Sequence, residues 1–271
     1  MNTNRFWICM ALMGASLFQP LAADQQTGYW QTVGEAYELN GDRLLYSEAH
    51  CVSENENSRE VIYRDGEGHL IARKFVDYQT GNVTPSFVQH NILAGESLKV
   101  ELQDRTLTMS VLDTESQPLK VTNAETSQTL PIVIDAGFDH FIQENWNELT
   151  VGQNKSFQFP LPARASLVNL RISPTTCSYD TDVDQCFRLD VDNWLLRMLV
   201  KPIELGYDAE LRRLTRYRGL SNIEDDAGKG MTVDIRYQYQ DEASQQCVVD
   251  HRVADGIDFQ LARHADGVKV R

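Results

Sequence analysis

The sequence predicts a mainly β protein of the α+β kind, in which a large curved antiparallel sheet or half-barrel packs on one amphipathic helix. Three observations carry that expectation. Short runs of alternating apolar and polar residues recur along most of the chain, turn residues separate them, and a single stretch shows helical periodicity instead. At 42% hydrophobic and 24% charged, with 16 glycines and 8 prolines in 271 residues, the chain has the makeup of a folded globular protein.

In chain order, Ala36 to Leu39 and Leu44 to Ser47 flank Asn40-Gly41, a pair that tolerates the positive φ of a hairpin turn. Glu60 to Arg64 and Leu70 to Phe75 flank Asp65-Gly66-Glu67-Gly68, and Leu98 to Leu102 and Leu107 to Val111 flank Asp104-Arg105. Further strands are expected at Ser156 to Phe159, Leu167 to Ile172, Phe187 to Val191, Ile203 to Tyr207, Leu211 to Tyr217 and Met231 to Tyr239. The helix is expected from Asp135 to Leu149, with Phe138, Phe141, Ile142, Trp146 and Leu149 on one stripe, Asp135 as cap and Gly152 just past the end. A shorter helical turn, or equally a buried strand, is expected from Asn193 through Trp194, Leu195, Met198 and Leu199. No long linker or internal repeat divides residues 24–271, so they are expected to form a single β-rich domain.

Met1 to Ala23 has the pattern of a secretory signal peptide: Arg5, an apolar run from Phe6 to Met13, then small residues ending Leu21-Ala22-Ala23. An uncleaved anchor is the alternative, but Gln19 and Pro20 interrupt the run short of a membrane span. Cleavage leaves 248 residues with a net charge of -15 and an expected periplasmic or secreted location. No later segment is apolar enough to span as a helix, and no terminal aromatic suggests an outer-membrane barrel. The acidic balance, 39 carboxylates against 25 basic side chains, argues against nucleic acid as a partner.

Cys9 leaves with the signal, and the other four cysteines form a pairable set in an exported chain. Cys177 with Cys186 is the simplest bridge, since the polar segment between them can turn back on itself; Cys51 with Cys247 then ties the beginning to the end. Zinc binding and redox catalysis both lack a C-x-x-C spacing.

Asp180, Asp182 and Asp184 alternate as calcium ligands do, but Gln185 stands where a calcium loop needs glycine and Val191 where it needs an acid, so a solvated loop is the preferred reading. On a strand, Arg212, Arg216 and Arg218 share a face able to hold an anionic head group, against the alternative of a solvent face paired with carboxylates. The six histidines form no H-x-x-x-H or H-E-x-x-H, and neither a G-x-S-x-G elbow nor a phosphate loop occurs, so no catalytic motif and no cofactor are expected.

Tyr217-Arg218-Gly219-Leu220-Ser221-Asn222-Ile223, followed by Met231 to Tyr237, resembles exported β-rich bacterial proteins of unknown function, in which such a turn joins two strands. In architecture the chain is similar to the half-barrels of periplasmic lipoprotein carriers, a resemblance that implies an apolar cavity but no particular residue. The expectation is thus a non-catalytic binding or carrier module for a lipid or other apolar ligand, held beneath Phe138, Phe141 and Trp146. The alternative is an envelope interaction or assembly factor without a small-molecule pocket.

Overall fold

The computed structural model describes residues 25–113, 119–181, 184–192, 201–225, 227–240 and 246–250. The leader, Asp182 and the segment from Asn193 to residue 200 lie outside them. The strands in order are β1 (Gln25–Glu38), β2 (Leu44–Ser53), β3 (Ser58–Asp65), β4 (Leu70–Asp77), β5 (Ser86–Asn91), β6 (Glu96–Gln103), β7 (Thr106–Asp113) and β8 (Lys120–Glu125). After helices α1 (Gly137–Glu144) and α2 (Trp146–Thr150) come β9 (Lys155–Leu161), β10 (Ser166–Thr175), β11 (Asp184–Val191), β12 (Ile203–Asp208), β13 (Leu214–Glu224), β14 (Gly230–Tyr239) and β15 (Gln246–Asp250).

All fifteen belong to one sheet. It runs as a meander from β8 back to β1, crosses to β14 and continues through β13 to β9, while β15 pairs with the start of β1. Every strand pairing is antiparallel. The expected hairpins are present, with Asn40 (φ 67) and Asp104 (φ 53) taking the left-handed turn positions. One strand begins later than the sequence suggests: residues 211–213 belong to the turn before β13, and Arg212 sits there at φ 53, its amide bonded to the Asp208 carbonyl. The Ser221-Asn222 segment is part of β13, opposite a register irregularity on β14, and is not a connecting turn.

The expected single helix is two. Asn145 breaks it at φ -100, ψ 12, and its side-chain amide donates to the Phe141 carbonyl at 2.8 Å, competing with the main-chain ladder. Nor does Asp135 cap the start; it lies at φ 42 and its side chain is used elsewhere. The apolar stripe is correct: Phe141, Ile142, Trp146 and Leu149 bury against Phe157, Ile172, Phe187, Leu205, Tyr207 and Leu214 of β9 to β13. Ring centroids of Phe141 and Phe157 are 4.9 Å apart, and Trp146 meets Phe187 edge-on at 5.4 Å. Each such ring stabilises the fold by roughly 2–3 kcal/mol through burial.

A second apolar cluster shows how far the sheet curls. Val76, Phe87, Val100, Leu107 and Met109 of β4 to β7 pack with Ile134 and with Leu167 from β10, so the two ends of the sheet face each other. The chain leaving β8 then lies along the opposite edge, where Val133 donates to the Gln158 carbonyl of β9 at 2.9 Å and Gln158 donates to Pro131 at 2.8 Å. No strand pairing joins β8 to β9 among the described residues, so the sheet is coiled but not closed.

Both expected disulfides form. Cys177–Cys186 closes a local loop, whereas Cys51 on β2 and Cys247 on β15 bridge across β1 at Gly28, where a Cβ would stand 3.3 Å from the Cys51 sulfur. Their sequence separations, 196 and 9, set their unequal worth. On loop-closure entropy the long bridge contributes about 5 kcal/mol and the short one about 2.6 kcal/mol. Replacing Cys51 and Cys247 by serine is therefore expected to lower the urea midpoint more than replacing Cys177 and Cys186; equal midpoints would refute that ranking.

Candidate functional site

The inner face of the sheet is set by strand alternation and register. One row runs Tyr237, Gly34, Glu48, Tyr63, Ala72 across β14, β1, β2, β3 and β4; the next runs Thr32, His50, Val61, Lys74, Gln89 across β1 to β5. Polar and charged groups thus occupy positions that strand patterning usually fills with apolar side chains. Glu48, Lys74 and Gln89 are all buried.

Glycine at position 34 makes the first contact between strands that are not neighbours. A Cβ there would lie 2.8 Å from the Tyr237 ring and 2.9 Å from the Glu48 side chain. Without it, Tyr237 reaches over β1 and donates to Glu48 Oε1 at 2.7 Å. His50 Nε2 lies 3.2 Å from the same oxygen. Because a carboxylate only accepts, Nε2 carries the proton, and Nδ1, which is buried and has no partner, presents a lone pair. Burial holds the His50 pKa below its ordinary value, against the raising effect of Glu48.

Lys74 Nζ lies 2.8 and 3.0 Å from the two oxygens of Asp135, fixing the residues just before α1 to β4. On the helix, Asp139 and His140 do not face bulk solvent as a simple amphipathic pattern implies. His140 meets the Tyr78 ring edge-on at 5.5 Å. The Asp139 carboxylate faces the Tyr207 hydroxyl and the Arg59 guanidinium, and burial pushes its pKa up.

Arg59 on β3 is the pivot of this group. Its Nη2 donates to Gln31 Oε1 at 3.1 Å and its guanidinium lies 5.8 Å from the Tyr78 ring centroid. Among the described residues no ion pair includes it. Four buried polar atoms here lack hydrogen-bond partners: Arg59 Nε, Tyr78 Oη, Asp139 Oδ1 and Tyr207 Oη. Buried polar atoms are ordinarily satisfied; here the Asp139 carboxylate and the Tyr207 hydroxyl face each other, and Arg59 Nε and Tyr78 Oη are left over.

His50, Arg59, Asp139, Tyr217 and Tyr237 lie deep within the protein. Each nevertheless keeps surface that a water molecule can touch. These groups lie on the polar side of α1, toward β1 to β3 and β12 to β14, among tyrosine rings and charged side chains.

The residues singled out from sequence are dispersed. Phe141 and Trp146 are locked in the aromatic packing against β9 to β12, and Phe138 is partly buried beside them. Arg212 lies over the Trp146 ring at 5.5 Å from its turn, so it does not share a strand face with the other two arginines. Arg216 makes a forked pair with Asp234 at 2.7 and 2.6 Å, and Arg218 donates to Asn40. Asp184 accepts from Tyr179 at 2.8 Å, and Asp180 lies in the loop between the bridged cysteines. No group of His, Cys, Asp and Glu among the described residues has the arrangement of a metal site.

No family model matches the chain, and no curated protein does either. Among solved structures it is similar to a beta-barrel-like protein of a domain of unknown function, DUF1849, from Brucella abortus. That match is 8% identical over 82% of this chain and 99% of the other, with a TM-score of 0.46.

Two outcomes follow from the interior charges. Lys74→Met leaves Asp135 without its cation and is expected to cost about 3 kcal/mol in urea unfolding, most of it restored by adding Asp135→Asn, which tolerates the positive φ. Since the folded His50 pKa lies below its unfolded value of 6.5, the unfolded chain binds the proton first. Stability should then fall as pH drops below about 6.5, with His90 and His140, also lowered by burial, adding to the slope. Urea midpoints at pH 7.5 and 5 should differ less in His50→Gln; an unchanged difference would exclude His50 as a contributor.

Proposed function

We propose that this chain is an exported, disulfide-braced binding protein of the cell envelope, which holds a partly apolar small molecule inside the coiled sheet without transforming it. The observation that carries this reading is the set of deep residues on the polar side of α1 that retain accessible surface, among them His50, Tyr217 and Tyr237, which we read as the walls of a hollow. Two disulfides support an oxidising compartment, and they fit the signal-peptide pattern of residues 1–23.

The ligand position differs from the one the helix stripe suggests. Phe141 and Trp146 are occupied by β9 to β12, which favours a ligand position on the other side of α1, with Phe138 at the boundary. There it would meet tyrosine faces, which accept apolar and aromatic bodies while their hydroxyls fix orientation.

Titration with the uncharged fluorescent probe N-phenyl-1-naphthylamine tests the reading. Saturable enhancement at one probe per chain is expected, and its loss on unfolding in urea. A linear, non-saturating response would count against any ligand hollow.

A further inference from the structure

One turn of the sheet is built against the usual chemistry of turns. The connection from β5 to β6 is Ile92-Leu93-Ala94-Gly95, closed by the Gly95 amide donating to the Ile92 carbonyl at 3.3 Å. Polar residues and glycine ordinarily fill such positions, as they do in the other turns at the same end of the meander, Asn40-Gly41-Asp42 and Asp65-Gly66-Glu67. Here Ile92 and Leu93 are 40% and 48% exposed. The Ile92 amide donates to the Ile71 carbonyl at 2.9 Å, which continues the register of β4 with β5 and sets Leu93 opposite Leu70, itself 36% exposed. Single exposed apolar residues are ordinary, but adjoining ones at a hairpin tip form a patch, and such patches mark interaction sites.

We infer that this tip is a docking surface for a cationic amphipathic segment of another protein. The inference goes beyond the small-molecule reading and does not depend on a hollow. Charge around the tip selects the partner. Asp65 and Glu67 belong to the neighbouring turn, Glu96 follows the apolar one, and Glu224 and Asp225 stand at the end of β13. That strand reaches the same end from across the interior. Gln89 of β5 donates to the Asn222 carbonyl at 3.2 Å and accepts from the Asn222 side chain at 3.3 Å, while Ile223 shares a buried cluster with Ile71. Leu220, two residues earlier, is 55% exposed.

Against these carboxylates stand Arg64 and Lys229, with His69 held 3.1 Å from Asp65 and 3.6 Å from Glu67. An apolar centre within a polar rim is the ordinary anatomy of a protein interface. The excess of carboxylates, on a chain of net charge -14, attracts a lysine- or arginine-rich partner and repels an anionic lipid surface. An apolar stripe on the same partner segment covers Leu70, Ile92 and Leu93.

Fluorescence anisotropy with labelled peptides tests this. A lysine-leucine amphipathic peptide should give a saturable rise, whereas its glutamate-leucine counterpart and a lysine-serine peptide of equal charge should not. The double replacement Ile92→Ser with Leu93→Ser should weaken lysine-leucine binding about tenfold, the worth of two partly exposed aliphatic side chains going into an interface. Glu67→Lys should weaken it severalfold, by a factor that shrinks as salt is added. Val151→Ser, at a residue 75% exposed beyond α2, should leave it unchanged, and urea midpoints check that every variant is folded. Absence of saturable binding, equal binding by the lysine-serine peptide, or equal binding by the wild type and the double variant would each overturn the docking surface. So would cosedimentation with phosphatidylcholine vesicles that the double variant abolishes, since the tip would then be seated in a bilayer.

Discussion

The connection from β8 to β9 is the constraint on which the rest of the molecule depends. A fifteen-stranded antiparallel meander has two edges and an inner face, and strand twist alone does not make them meet. The residues after Thr126 leave one edge, pair with β9 at the other, and then enter the interior as α1 and α2. One segment thereby covers an edge, holds the coil of the sheet, and supplies the side chains that fill it. The packing of Leu167 against β4 to β7 and the Lys74 to Asp135 pair are consequences of that coiling.

The helix then divides the interior by chemistry. Its apolar stripe is matched on β9 to β13 by aromatic and branched residues that leave no need for a guest. Its other side faces β1 to β3, where the buried groups are glutamate, histidine, arginine and tyrosine. Such groups are expensive to bury, and most are paired: Glu48 with Tyr237 and His50, Lys74 with Asp135, Gln89 with Asn91 and Asn222. The exceptions include Arg59 Nε and Tyr78 Oη, and also His50 Nδ1, Ser58 Oγ, Arg171 Nε and Asp184 Oδ1.

The hairpins, the apolar helix stripe and both disulfide pairings were legible because each depends on local spacing or on counting. Other features were hidden. Strands β5, β8 and β15 are short and lack a strong alternating signal. The helix break at Asn145 depends on a side-chain bond that competes with the main chain. The arginine face failed at Arg212 because a turn and not a strand occupies residues 211–213. Tyr46-x-Glu48-x-His50 was visible as an alternation, but nothing in it says which side of the strand is inside.

By itself the sequence determined a β-rich antiparallel fold with one amphipathic helical region and two disulfides, since period, turn chemistry and an even cysteine set are properties of neighbouring or counted residues. Only the tertiary structure decided that the sheet coils until its ends face each other, and that Glu48, Arg59, Lys74 and Asp139 lie inside it. The reason is physical: a strand pattern carries its two faces symmetrically, and only the coiling of the sheet around the helix assigns one of them to the interior. The candidate site is built from residues on β1 to β3, β12 to β14 and α1, far apart in the chain, whose mutual approach no local spacing encodes.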